Sequence, residues 1–182
     1  MLRRASVVCC LSTGVLLATG AIAADDLHMC IYENGDVAIE ACNRAINSGR
    51  YQNVDLANAY INRGAELIKK KDYDRAISDE NTAIKLFPQS TLAHTNRGRA
   101  YQLKGDLNRA LADFSKAISF DRENPSAYIN RASVREQQGD RKGAIADLKR
   151  ALASKPRKGK FVNVEGDFKR ARDYLERLSK TP

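Results

Sequence analysis

The sequence predicts an all-α protein, a right-handed α-solenoid of helix-turn-helix hairpins that ends in a C-terminal capping helix. The main observation is a block that recurs every 34 residues, first as Tyr60 to Gly64, next as His94 to Gly98 and then as Tyr128 to Ala132. Within each unit, apolar residues recur at intervals of three and four, which is the spacing of one face of a helix. Stacked hairpins are therefore expected, because one hairpin cannot bury its apolar face alone.

The composition agrees with an elongated helical protein. The chain has 182 residues, of which 43% are hydrophobic and 29% charged, and it contains only 11 Gly and four Pro. These values exclude a collagen-like or broadly disordered chain. A chain of this length can bury one sizeable core.

Residues 1–23 are predicted to be a secretory signal peptide. Two arginines supply the positive start, and an apolar run extends from Val7 to Ala24. The Ala-Ile-Ala segment that ends at Ala23 fits the small-x-small cleavage pattern, and cleavage after Ala24 fits nearly as well. The stretch is also long enough to remain as a membrane anchor. We expect a mature chain that is periplasmic or secreted and has no membrane span.

Residues 24–56 are predicted to form a truncated opening hairpin, joined to the next unit by a longer connection over residues 48–55. The chain keeps Cys30 and Cys42 after the leader is removed. Two cysteines in an exported chain can pair, and this bond would tie the two arms of the hairpin together. Two buried free thiols are the alternative.

The full units are predicted over residues 57–90, 91–124 and 125–158. A turn of Lys-Asp or Gly-Asp separates the two helices of each unit, and glycine permits the left-handed backbone that ends a helix. Small residues at fixed positions let the helices approach closely. Each unit also has aromatic, apolar and terminal positions that recur with the small ones. The residues at these positions are Tyr60, Gly64, Leu67, Ala76, Ala83 and Pro88 in the first unit, His94, Gly98, Tyr101, Ala110, Phe114 and Ala117 in the second, and Tyr128, Ala132, Ala144, Leu148, Ala151 and Pro156 in the third.

This pattern closely resembles the tetratricopeptide repeat (TPR) family, and with the leader it resembles the exported bacterial type. The period breaks after residue 158, and residues 159–182 are predicted to form a basic linker and a capping helix from Val164 to Leu178. The linker region carries a basic stretch that is either solvated or a binding patch. It consists of Lys155, Arg157, Lys158 and Lys160.

Charged residues recur at two positions of the repeat, with each aspartate sixteen residues after its arginine. They are Arg63, Arg97 and Arg131, and Asp79, Asp113 and Asp147. We interpret them as structural ion pairs, formed either within a unit or between one unit's Asp and the next unit's Arg. Glu80 stands where the other units have Phe114 and Leu148, so it must reach solvent or find a partner.

The resemblance implies that the first helix of each unit lines a concave groove. The groove candidates are Asn58, Asn62, Lys69, Asn96, Arg99, Leu103, Asn130, Ser133 and Gln137. The three asparagines that repeat at one position present a ladder of amides to a ligand, or belong to the repeat's own structure. Some family members grip a C-terminal carboxylate with lysine and asparagine side chains, but the lysine positions here hold Ile61, Thr95 and Ile129.

The sequence points to binding and not to catalysis. It has two histidines, His28 and His94, and no metal-ligand spacing, phosphate-binding glycine loop or nucleophile motif. We therefore predict no enzyme activity, no metal and no cofactor. The formal charge is +9, yet export makes nucleic acid an unexpected partner.

The predicted function is an exported interaction module that binds a peptide or protein in the concave groove. The first alternative is binding of an anionic cell-envelope polymer or lipid through the basic face. The second alternative is a structural subunit that self-assembles.

Overall fold

The computed structural model describes residues 26–155 and 163–180, and these residues form helices and connecting turns without strands. The predicted signal peptide and the basic residues Arg157, Lys158 and Lys160 lie outside this range. The described part of helix α1 covers residues 26–32. The helices that follow are α2 (Gly35–Asn47), α3 (Asn53–Lys69), α4 (Tyr73–Leu86), α5 (Thr91–Leu103), α6 (Leu107–Phe120), α7 (Pro125–Gln137), α8 (Arg141–Ala153) and α9 (Val164–Lys180).

The helices pair and stack as a solenoid, which confirms the predicted fold class. Helices α3 and α4, α5 and α6, and α7 and α8 form three hairpins, and the second helix of each packs against the first helix of the next. The first helices α3, α5 and α7 also contact one another in succession. Helix α3 begins at Asn53, inside the stretch predicted as a connection, because no helix-breaking residue follows it and Asp55 favours the positive end of the helix dipole.

Aspartates fix the start of the second helix in each full unit. The side chains of Asp72, Asp106 and Asp140 each accept a hydrogen bond from a backbone N–H in the first turn of the helix that follows. Such N-caps satisfy donors that the helix itself leaves without a partner. The turns therefore place the two helices of each hairpin in a defined antiparallel arrangement.

Two glycines allow the close approach of paired helices. A Cβ atom on Gly98 would lie 2.9 Å from the ring of Phe114, and one on Gly64 would lie 2.6 Å from Oε1 of Glu80. Both glycines are buried, so the large side chain at this position of the second helix fills the space that the missing Cβ leaves.

The recurring arginines and aspartates lie against each other within each unit. Arg63 contacts Asp79 through two hydrogen bonds of 2.8 and 2.6 Å, and Arg97 contacts Asp113 in the same way at 2.8 and 2.7 Å. The third pair, Arg131 with Asp147, repeats the geometry at 2.9 and 2.7 Å. The aspartates are buried, so each carboxylate needs a compensating partner. Asp147 has a second guanidinium, that of Arg135 at 2.8 Å, and Asp113 also contacts the ring of His94 at 3.2 Å.

Each of these arginines also binds a side chain of the preceding unit. The remaining guanidinium nitrogen of Arg97 donates to Oδ1 of Asn81 at 2.6 Å, and that of Arg131 donates to Oγ of Ser115 at 3.2 Å. The equivalent contact of Arg63 is with Asn43, at 2.6 Å. One guanidinium therefore joins three helices, the two of its own hairpin and the second helix of the previous one.

The opening hairpin is held by contacts between its two helices. Asp26 of α1 and Arg44 of α2 form an ion pair at 2.7 Å. Cys30 and Cys42 are both buried, with Cα atoms 4.7 Å apart, a separation at which a disulfide can close. Glu66 of α3 accepts a hydrogen bond from the first backbone N–H of α2 at 2.9 Å, which fixes the hairpin onto the first full unit.

Helix α9 packs where the first helix of a fourth unit would lie. Ala171 and Leu178 are buried against α7 and α8. Tyr174 donates a hydrogen bond to Glu136 of α7 at 2.6 Å. The rest of its surface carries exposed charged residues such as Arg172 and Glu176. A polar outer face of this kind is what a terminal capping helix requires.

We expect the Arg63–Asp79 pair to behave as a buried, mutually dependent pair. Arg63→Met alone should lower the free energy of unfolding by roughly 3 kcal/mol, because it leaves a buried carboxylate without its cation. The double variant Arg63→Met with Asp79→Leu should lose much less, because no buried charge remains. Urea unfolding of both variants and of Asp79→Leu measures the coupling; additive losses would contradict this account.

Candidate functional site

The first helices of the units form one wall of a concave groove that α9 extends. Helices α3, α5, α7 and α9 lie side by side along this wall. Contacts join α3 to α5, α5 to α7 and α7 to α9. The groove holds a cavity of about 710 Å³ between α5, α7 and α9. A smaller cavity of about 300 Å³ adjoins it between α7 and α9.

Helix α5 supplies the apolar and cationic part of the cavity wall. Leu92 and Leu103 both line the cavity and are 54% and 49% exposed. Arg99 lies between them along the same face, is exposed, and makes no ion pair with any residue that the structure describes. We call Leu92, Arg99 and Leu103 the α5 stripe. Its members are available to contact a ligand.

Helices α7 and α9 supply the polar part of the wall. Asn130 and Gln137 of α7 face the cavity. Ser126 of α7 donates a hydrogen bond to Asp167 of α9, and Arg170 pairs with the same aspartate at 3.2 Å. The two helices therefore form one end of the groove, where the charge of Asp167 is already compensated within the protein.

The structure brings together five of the nine predicted groove residues in the main cavity. They are Asn96, Arg99, Leu103, Asn130 and Gln137. Ser133 lines the smaller cavity, where its hydroxyl accepts hydrogen bonds from Gln102 at 3.0 Å and Gln137 at 3.4 Å.

The other three predicted residues lie on α3, away from the main cavity. Asn62 donates to the backbone carbonyl of Asn58, one turn earlier, at 2.7 Å. Lys69 is exposed and pairs with Glu66 on its own helix. The side chains of Asn62 and Lys69 have partners within the protein, so they are less available to a ligand than Arg99 on α5.

Several wall residues were not predicted, although the repeat could have shown some of them. Leu92 and Ser126 occupy the position in their units that Asn58 occupies in the first. Asp167 and Arg170 belong to α9. Because the 34-residue period ends before α9, the sequence did not identify this helix as part of the groove. The signal for α9 was the seven-residue spacing of Ala171 and Leu178, the same as that of the buried residues Ala93 and Ala100 on α5 and Ala127 and Val134 on α7.

Comparison with known proteins gives a consistent family assignment. Residues 57–90 and 125–158 match the model described as "Tetratricopeptide repeat", and residues 98–139 match the model described as "TPR repeat". Together the matches span more than half of the chain. The chain belongs to the tetratricopeptide repeat family.

Solved structures share the TPR fold with this chain. The crystal structure of MamA superposes with a TM-score of 0.65 at 23% identity, over 76% of this chain and 81% of that one. The Arabidopsis OM64 TPR domain gives 0.60 at 27% identity, over 71% and 99%. The first TPR of Spaghetti (RPAP3), bound to the HSP90 peptide SRMEEVD, gives 0.61 at 23% identity, over 72% and 97%. No curated protein sequence matches this chain significantly.

Within residues 26–155 and 163–180, no three or more histidine, cysteine, aspartate or glutamate side chains are grouped as metal ligands. Across the same part of the chain, no helix has both the length and the apolar character needed to cross a bilayer.

Glu80 is the departure from the TPR pattern that lies nearest the groove. Its side chain is fully buried, with Oε1 accepting a hydrogen bond from Nδ2 of Asn96 at 3.0 Å and Oε2 without a hydrogen-bond partner among the described residues. Burial raises the pKa of Glu80 well above its usual range, and the hydrogen bond from Asn96 opposes this only in part. The neighbouring carboxylate of Asp79 raises the pKa further.

We predict that Glu80 makes stability fall as pH rises. An unfolded glutamate ionises near pH ~4.3, whereas folded Glu80 keeps its proton to higher pH. Above about pH 4.3 the folded state therefore binds more protons than the unfolded state, and the free energy of unfolding declines with pH until Glu80 ionises. Urea melts across this range should show the decline in the wild type and not in Glu80→Gln. Parallel pH profiles for the two proteins would contradict the assignment.

Proposed function

We propose that this chain is an exported TPR module that holds an extended segment of another protein in its concave groove. The observation that carries the proposal is the α5 stripe, two exposed leucines on either side of a cation without an ionic partner, facing a cavity of about 710 Å³. Exposed apolar side chains grouped in a concave site are typical of binding surfaces. The amides of Asn96 and Asn130 lie beside the stripe and suit the backbone of an extended chain.

The chemistry of the stripe describes the ligand. Leu92 and Leu103 favour apolar side chains, and Arg99 favours a carboxylate between them. The bound peptide of the Spaghetti structure supports the idea that a groove of this fold accommodates a peptide. The ligand here is expected to differ in its end contacts, because Ile61, Thr95 and Ile129 stand where related modules place lysines for a terminal carboxylate.

A random peptide library displayed on phage and selected against the mature chain tests this function. We expect enriched peptides with an acidic residue flanked by apolar ones. Their affinity, measured by fluorescence anisotropy, should fall at least tenfold in Asn130→Arg, which fills the groove, because bound chain and new side chain would compete for one space. Lys149→Glu on α8, outside the main cavity, is the matched control and should bind normally.

Two outcomes would contradict the proposal. One is the absence of any enriched peptide. The other is binding that survives Asn130→Arg but weakens in Lys149→Glu and falls steeply with salt, as expected for an anionic polymer held by exposed basic residues.

The export part of the proposal rests on the leader pattern of residues 1–23 and on the adjacent, buried Cys30 and Cys42. We propose that the leader is removed and that the two cysteines form a disulfide in an oxidising compartment. Expression of the full chain in a bacterial host should give a periplasmic product that begins at Ala24 or Asp25. In urea, where burial no longer protects a thiol, neither cysteine should react with an alkylating reagent until the protein is reduced. A membrane-retained product of full mass, or thiols that react without reduction, would overturn this part.

A further inference from the structure

Three asparagines occupy the same repeat position, yet the structure gives each a different partner. The amide nitrogen of Asn62 bonds to the Asn58 carbonyl of its own helix. That of Asn96 bonds to Oε1 of Glu80, on the second helix of the preceding unit. The side chain of Asn130 makes no hydrogen bond with the residues that the structure describes, while it lines both groove cavities.

The difference between Asn96 and Asn130 follows from one residue in the preceding unit. Glu80 lies behind Asn96, and the residue at the same place behind Asn130 is Phe114, whose ring cannot accept this hydrogen bond in the same way. Phe114 and Leu148 are fully buried apolar side chains. The chain therefore shows that the core position is well filled by apolar residues, and Glu80 is the exception.

Glu80 is unfavourable as a core residue taken by itself. A buried carboxyl group with one oxygen lacking a hydrogen-bond partner destabilises the folded state relative to an apolar side chain of similar size. Among the described residues, its one hydrogen bond is with Asn96. This bond links the core position to a residue of the groove wall.

We propose that Glu80 is a positioning residue that holds the amide of Asn96 with its nitrogen directed inward and its carbonyl oxygen available to an N–H group of the bound segment. One hydrogen of Nδ2 is held by Glu80, so the amide keeps one orientation, while its second Nδ2 hydrogen remains a donor. Asn96 therefore offers its carbonyl oxygen in a fixed direction to a ligand backbone N–H, whereas untethered Asn130 can turn to offer either group. A fixed amide loses less rotational freedom when a ligand binds, which strengthens binding severalfold.

This inference rests on the proposed function for its ligand, but the tether can be tested without one. Exchange of side-chain amide protons with water, measured by NMR, should be at least tenfold slower for Asn96 than for Asn130 in the free wild-type chain. Replacing each asparagine by aspartate assigns the two signals. In Glu80→Leu the Asn96 protons should exchange as fast as those of Asn130, and in Glu80→Gln, which keeps an acceptor, they should remain slow.

The same variants separate a positioning role from a structural one. Glu80→Leu should melt a few degrees higher than the wild type, yet bind the library-selected peptide about three- to tenfold more weakly. Glu80→Gln should bind like the wild type, and Glu80→Leu should add no loss to Asn96→Ala. Glu80→Met serves as the second apolar variant if Glu80→Leu does not fold.

Equal exchange rates for Asn96 in the wild type and in the apolar variant would overturn the tether. Peptide binding that follows thermal stability across the variants would overturn the positioning role. Failure of the library to yield any peptide would instead refute the proposed function, and the NMR comparison would still decide whether Glu80 holds Asn96.

Discussion

The solenoid depends on a guanidinium that joins three helices in every full unit. Arg97 illustrates the arrangement, because it binds Asp113 within its hairpin and Asn81 in the hairpin before. A buried carboxylate cannot be left without its cation at low cost, so each hairpin has one favourable register against its neighbour. Apolar packing stabilises the stack, whereas these pairs specify how the units are aligned. The spacing of α3, α5 and α7, and with it the width of the groove, follows from this alignment.

Polarity is distributed unevenly along the groove, and this distribution gives it a direction. At the α9 end, Asp167 has partners in Ser126 and Arg170, while burial and the hydrogen bond to Glu136 raise the pKa of Tyr174 to about 12, so its hydroxyl remains a donor at neutral pH. In the middle, Arg99 of the α5 stripe has no ionic partner among the described residues, and Leu92 and Leu103 are exposed. Under the proposed function, a ligand is expected to gain most from contact with the middle of the groove.

The sequence predicts the hairpins, the capping helix and the set of ion-paired residues, because a constant period fixes which residues are equivalent. It does not predict the hydrogen-bond partners of single polar side chains, because these depend on the residue that the neighbouring unit places behind them. Asn96 and Asn130 are identical by position and differ through Glu80 and Phe114.

A shift in where the helices begin also makes the 34-residue period unreliable for predicting contacts. Asn81 and Ser115 stand sixteen residues before the arginine that they bind, and Asn47 stands sixteen before Arg63. The contact is nevertheless made by Asn43, twenty residues before Arg63, because α3 begins four residues earlier relative to its repeat than α5 and α7 do relative to theirs. Helix α9 was likewise predicted only as a cap, since the break before it hides its equivalence to a first helix of the repeat.

The proposed function requires the groove between α5, α7 and α9 to be the surface that binds the peptide. Backbone chemical shifts of the mature chain, followed by NMR during titration with a library-selected peptide, test it most directly. The account predicts saturable changes centred on Asn96, Arg99 and Asn130, with little change on the outer faces of α4, α6 and α8. Changes confined to those outer faces, with the groove signals unmoved, would contradict it.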